Sequence, residues 1–180
     1  MAERDLAALW DAHCRYEFET RDLDATMASM VAEPYVNHVP TMTGGVGHDQ
    51  LRRFYRRHFI GANPPDATLS LVSRTVGADS LVDEMIFSFT HTCTVDWMLP
   101  GVAPTGARVE IPLVAIVKFE GDKLAHEHIY WDQASVLVQV GLLDPAGLPI
   151  AGQETARKVL DKSLPSNSLM AAWGDGRAES

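Results

Sequence analysis

The hydrophobic pattern of this 180-residue chain changes period once, at Pro64-Pro65, and that switch limits the possible folds more than any other feature. Before it, apolar positions recur at the spacing of helix faces; after it they run in extended stretches rich in branched residues and broken by glycine turns. Leu6, Leu9, Trp10, His13, Cys14 and Glu17 or Phe18 share one stripe, which predicts a first helix over residues 6–20 capped by Asp5. Asp22 caps a second helix predicted at 23–31, ending ahead of Pro34 because the residue before proline avoids helical geometry. Residues 35–39 read as extended, and Gly44, Gly45 and Gly47 as a flexible loop. Leu51, Phe54, Tyr55, His58 and Phe59 then line one face of a third helix, with Arg52, Arg53, Arg56 and Arg57 opposite as a solvated surface.

Beyond the prolines, residues 68–76 and 81–95 read as a hairpin joined at Gly77-Ala78-Asp79-Ser80. A Pro- and Gly-containing loop over 96–107 leads to 109–119, which is apolar on both faces and so reads as a central strand. After the turn Glu120-Gly121-Asp122-Lys123 comes a last strand at 124–131, and Asp132 caps a short helix that stops at Gly141. Helices followed by an antiparallel meander predict an α+β fold with the helices on one sheet face. The domain is expected to span 1–143. Residues 144–180, with Pro145, Pro149, Pro165 and one helical stretch at 154–160, form an arm. Its apolar tip, Leu169, Met170 and Trp173, is expected to dock on the body or on a second subunit.

Composition narrows the partners. With 24 acidic against 15 basic side chains the formal charge is −9, which argues against nucleic acid and anionic membrane surfaces. A hydrophobic content of 46% is enough to bury a core without metal or disulfide staples. The two cysteines, Cys14 and Cys93, read as reduced core residues. No signal-peptide pattern and no membrane-length apolar run is seen, so a cytoplasmic protein is expected.

Standard signatures are absent: no phosphate-binding glycine loop, no Gly-x-Ser-x-Gly, no Cys-x-x-Cys and no His-Glu-x-x-His. No cofactor is expected. The chemistry concentrates in His126-Glu127-His128-Ile129-Tyr130-Trp131-Asp132. Alternation puts His126, His128, Tyr130 and Asp132 on one strand face and Glu127, Ile129 and Trp131 on the other, so both sets line one pocket only if a bulge intervenes. A histidine and a carboxylate in a partly apolar pocket suit proton transfer near neutral pH; the plainer alternative is that Asp132 only caps the next helix while the histidines lie at the surface. His126 and His128 would also need a third ligand, such as His38 or His91, to hold a metal, and none is expected. His38 closes an extended segment where its ring could reach a cavity, or serve structure alone. His91 shares parity with Met85, Phe87 and Phe89, which favours a buried, hydrogen-bonded role. Tyr16, His13 and Glu17 could roof the pocket, though helix packing explains them more simply.

Tyr35-Val36-Asn37-His38-Val39-Pro40, the glycine loop, 51–55, Gly121-Asp122-Lys123-Leu124, Asp132 and 137–141 together resemble the SnoaL-like branch of the NTF2-like superfamily, with its cystatin-like fold. The resemblance covers residues 5–143. It implies a strongly curved antiparallel sheet around a deep apolar pocket closed by the helices, with the outer sheet face used for a homodimer. Superfamily members cyclise polyketides, isomerise steroids, dehydrate, open epoxides, or only bind ligands. Asp132 matches the acid that opens the branch's Asp-x-x-x-Leu-x-x-Gln pattern. Where many relatives carry another acid three residues earlier, this chain has Ile129, which turns attention to Glu127, His128 and His38.

The expectation is therefore a cofactor-independent enzyme acting on a hydrophobic, oxygenated small molecule by acid/base chemistry: cyclisation, isomerisation, dehydration or ring hydrolysis. His38, Glu127, His128 and Asp132 are the expected catalytic groups, and Tyr130, Trp131, His91 and Tyr16 the expected substrate contacts. The alternatives are a non-catalytic ligand-binding protein and a dimeric interaction module.

Overall fold

The computed structural model describes residues 4–171. Asp5 accepts a hydrogen bond from the Ala8 amide and starts α1 (Leu6–Phe18); Asp22 does the same with Ala25 for α2 (Leu23–Ala28). The second helix is shorter than expected because Met30 already pairs with Leu124 as the first residue of β1 (Met30–His38). A single extra helical turn gains little by itself, so sheet pairing takes those residues. Pro34 falls inside β1, in the irregularity between Met30 and Tyr35, a position where a strand tolerates the missing amide.

The glycine loop is more ordered than expected. It contains β2 (Thr43–Val46), antiparallel to β1, with Gly44 opposite Asn37. Gly44 has φ +128°, and a Cβ there would stand 2.1 Å from the Val36 carbonyl oxygen, so only glycine lets the two strands close. The third helix, α3 (His48–Phe54), continues into a π-helical turn at Tyr55–Phe59 that buries both Tyr55 and Phe59.

The meander consists of β3 (Thr68–Val76), β4 (Ser80–Thr90), β5 (Arg108–Glu120) and β6 (Lys123–Trp131). β4 ends before the expected residue 95: the chain leaves the sheet at His91 and forms turns that bury Val95, Trp97, Met98 and Leu99. The six strands lie in the order β2-β1-β6-β5-β4-β3, and every neighbouring pair is antiparallel except β1 with β6, which is parallel. The α+β architecture is the one expected, with this single parallel pair added.

Val109, Ile111, Leu113, Ala115, Val117 and Phe119 alternate along β5 and bury one face in the core, where Leu113 and Ala115 share a wall with Trp10 of α1 and with Tyr55 and Phe59 of the π turn. At about 1.5–3 kcal/mol for each large side chain, this face supplies the main drive for closing the helices over the sheet. Asp132 caps α4 (Gln133–Gln139) through the Ala134 and Ser135 amides. In the arm, α5 (Glu154–Leu160) packs against β5, with Arg157 Nε 3.7 Å from Glu110 Oε2. Leu169 and Met170 are each 56% exposed, so they do not dock on the body; Trp173 lies outside the described residues. Among the described residues, no helix is long and apolar enough to cross a membrane.

Candidate functional site

The helical stripe of α1 brings Trp10, His13 and Glu17 to the interior, one turn apart. Facing them is β6. Its ladder with β5 skips at Ala125: Phe119 pairs with Leu124 and Lys118 with His126. This bulge reverses the parity that Leu124 would otherwise impose. Glu127, Ile129 and Trp131 consequently point inward and are buried, while His126, His128 and Tyr130 occupy the outer face.

His13 links the two elements. Its Nε2 lies 3.1 Å from Glu17 Oε1 and 3.2 Å from Glu127 Oε1. Its Nδ1 lies 2.6 Å from Ser29 Oγ, and the Ser29 hydroxyl donates to the Thr26 carbonyl. Because that hydroxyl proton is committed, Nδ1 must carry a hydrogen and donate to Oγ. A second proton on Nε2 then faces the carboxylates, and the ring is an imidazolium. Burial opposes that charge, but Glu17 and Glu127 outweigh it and raise the His13 pKa to about 10. The ring also stacks on Trp10, with centroids 5.7 Å apart.

The Nε2–H aligns with Glu17. Glu127 Oε1, although close, is left without a hydrogen bond, as is the Tyr55 hydroxyl beside these carboxylates. Burial raises the Glu17 pKa, with His13 pulling the other way. Burial, Glu127 and Glu17 together push Tyr55 well above the usual phenol range, and burial raises the Cys14 thiol. The three ligand atoms of His13, Glu17 and Glu127 lie within 4.8 Å of one another, close enough to share a cation. Here the imidazolium proton joins them.

This cluster forms the polar end of an internal cavity whose wall is otherwise apolar and aromatic, built from Trp10, Phe18, Tyr55, Phe59, Phe87 and Trp97 with Val36, Met85, Leu113 and Ile129. The centre of a water molecule can range over about 40 Å³ inside it, room for a small ligand of a few heavy atoms. Cys14, Phe18 and Leu69 line both the cavity and a surface groove between α1 and β3.

His38 lies on the same cavity wall. Its Nδ1–H donates to the Thr43 carbonyl at 3.3 Å, and burial lowers its pKa to about 4. The ring is therefore neutral at physiological pH, leaving Nε2 as a lone-pair acceptor. Trp97, Phe59, Phe54 and Trp131 surround it, with ring centroids 4.8–6.0 Å away.

The expected catalytic set is thus divided. His38 and Glu127 meet at the cavity; His128 and Asp132 do not. His128 packs on the outer sheet face between His126 and Tyr35, with ring centroids 4.6 and 5.2 Å away. Asp132 is exposed and caps α4. Of the expected substrate contacts, Tyr130 is 41% exposed on the outer face. Trp131 packs behind His38 and donates to Gln133 Oε1 at 2.6 Å. His91 is buried, lowered in pKa by that burial, and accepts from the Thr105 amide. Tyr16 lies beside the Arg15 guanidinium and outside the cavity. His13, Glu17 and Tyr55 take their place. The signal for the first two was the occurrence of two titratable residues, one turn apart, on an otherwise apolar helix stripe.

Comparison with known proteins agrees with this architecture. The family model for the SnoaL-like domain matches residues 10–127, while no curated protein matches the chain. Among solved structures, a candidate polyketide cyclase from Acidithiobacillus ferrooxidans has 17% identity and a TM-score of 0.59, covering 74% of this chain and 92% of its own. TsrD from Streptomyces laurentii has 19% identity and a TM-score of 0.58, with coverages of 77% and 96%. A protein with a ketosteroid isomerase-like fold from Catenulispora acidiphila, solved with trimethylamine, has 14% identity and a TM-score of 0.58, with coverages of 75% and 93%. At these identities the likeness shows the fold, an NTF2-like one, and the family match places the sequence within it: this chain belongs to the SnoaL-like domain family.

Proposed function

We propose that the protein is a small-molecule enzyme that moves protons on a hydrophobic, oxygenated substrate, in a cyclisation, isomerisation, dehydration or ring hydrolysis. The observation that carries this reading is Glu127 Oε1: a carboxylate oxygen on the wall of an apolar cavity, 3.2 Å from an imidazolium yet without a hydrogen bond. In this reading Glu127 removes a proton from the bound substrate. His13, fixed by Ser29, stabilises the carboxylate before the transfer, and Glu17, its pKa raised by burial, is the second carboxyl group of the same cluster. The Tyr55 hydroxyl, unpaired and buried, donates to the oxygen on which negative charge develops. Neutral His38, which also lines the cavity, accepts a substrate hydroxyl.

The proposal includes a homodimer through the outer sheet face, where Tyr35, His126, His128 and Tyr130 are left partly exposed, and a cytoplasmic setting, in keeping with free Cys14 and Cys93. Activity on a panel of ketones, lactones and epoxides tests the chemistry. Glu127→Gln is expected to lose about 10²–10⁴-fold in turnover, while His128→Ala, changed on the other face of the same strand, keeps wild-type turnover. Full activity in Glu127→Gln would overturn the assignment. Ligand binding without turnover across the panel would favour the non-catalytic alternative.

A further inference from the structure

Asp83 takes no part in the chemistry assigned to the cavity, yet it is a carboxylate on the buried stripe of β4, between Leu81 and Met85, and only 1% exposed. A charge that deep is kept only where it is paired and hydrogen-bonded. Three donors meet it. Arg74 of β3 gives Nε–H to Oδ1 at 2.7 Å and Nη2–H to Oδ2 at 2.8 Å, and the Trp10 indole Nε1–H reaches Oδ2 at 2.9 Å. Arg74 stands opposite Asp83 only because the β3 register shifts between Leu71 and Ser73; unshifted, Ser73 would hold that place. Only a carboxylate accepts from all three donors, since an amide would turn its NH2 toward one of them. At the other end of this chain of contacts the Trp10 ring lies nearly parallel to His13, with 13° between the planes and 5.7 Å between centroids.

We infer that Asp83 and Arg74 are positioning residues, which fix the Trp10 indole as the plane on which the His13 imidazolium rests and so set how that ring meets Glu127. Their role rests on the proposed function, in which His13 stabilises Glu127 before proton transfer. Neither residue lines the cavity, so they act through Trp10, which does. The Ser29 contact fixes where His13 Nδ1 sits but not the tilt of the ring. A parallel indole removes that freedom, provided the indole itself cannot turn, and the bond from its N–H to Asp83 prevents the turn. The same bond strengthens the stack: an aromatic face within about 6 Å attracts a cation, and donation to a carboxylate polarises the indole so that its face becomes more negative.

The test is NMR of the histidine rings in the full chain, read beside turnover on the panel of ketones, lactones and epoxides. Stacked on the indole, the His13 ring protons are expected upfield of their ordinary position. Asp83→Asn should move them back and lower kcat about tenfold, while the His38 ring resonances stay in place, which also shows that the variant is folded. Arg74→Lys keeps the charge but loses the bidentate grip, and should move the His13 resonances the same way by less. Asp11→Asn removes an exposed carboxylate from the same guanidinium and should leave both readings unchanged. In a Trp10→Phe background, whose ring has no N–H to hold, Asp83→Asn should cost no further turnover. His13 resonances that do not move in Asp83→Asn, full turnover after they have moved, or the same tenfold loss in the Trp10→Phe background would overturn the inference. Unmoved resonances in an enzyme that turns over the panel would leave the proposed function standing. Moved resonances in a protein that turns over nothing on the panel would remove the proposed function and leave the positioning of the imidazolium.

Discussion

Replacing His13 by leucine removes the one cation between two buried carboxylates and keeps most of the side-chain volume, so the loss is chiefly electrostatic. Glu17 is 4% and Glu127 3% exposed. Breaking a buried ion pair from one side costs about 3–5 kcal/mol, a large share of the ~5–15 kcal/mol that holds a typical domain. The penalty has a sign with pH. In the wild-type protein the His13 pKa is raised from 6.5 to about 10, so its contribution is complete below pH 6.5 and is lost as pH rises through 10. In the variant the carboxyls lose that cation. Glu17, already raised from 4.5 by burial, binds its proton more readily in the folded than in the unfolded chain, so the variant gains stability as pH falls. Urea denaturation should give a loss of about 3–5 kcal/mol near pH 6.5, where the His13 contribution is complete, shrinking by at least ~1 kcal/mol near pH 5. Exchanging all three groups, His13→Leu with Glu17→Leu and Glu127→Gln, should cost less than His13→Leu alone, because no ionised group is left buried without its partner. A loss below ~1 kcal/mol, or one that does not change between these pH values, would refute the assignment of an imidazolium held by two carboxylates.

Three further outcomes are expected. Gly44→Ala should lower the melting temperature by at least ~4 °C in a thermal scan, since a Cβ 2.1 Å from the Val36 oxygen forces β2 off β1. Asp132→Ala should cost ~1 kcal/mol in chemical denaturation by uncapping α4, with turnover unchanged. The His38 ring should titrate near pH 4 by NMR, and because its folded pKa is depressed, its linked stability should be present above pH 6.5 and fall away as pH drops through 4; a His38 titration near 6.5 would contradict its placement in the dry aromatic cage.

The order of the main elements and the α+β class follow from periodicity, caps and turn residues, because those signals are local: a helix stripe or a strand alternation is written within a dozen residues. The burial of His13 and Glu17 was equally local, since they share the stripe of Leu6 and Trp10. What they are buried against was not, because Glu127 comes from the far end of the domain and reaches them only when β6 pairs with both β5 and β1.

The same limit explains why the inward face of the last strand stayed open. Simple alternation from Leu124, a buried residue, carries His126 and His128 inward and Glu127 outward; the extra residue at Ala125 reverses this. Nothing in the residues 124–131 alone marks where that bulge falls, since it arises from the register of two ladders that must both close. The sequence by itself determined the order of the main helices and meander strands, the α+β class and the kinds of side chain available for chemistry. Only the tertiary structure decided which strand face turned inward, and with it that a glutamate, an imidazolium and a second glutamate would meet at the end of an aromatic cavity.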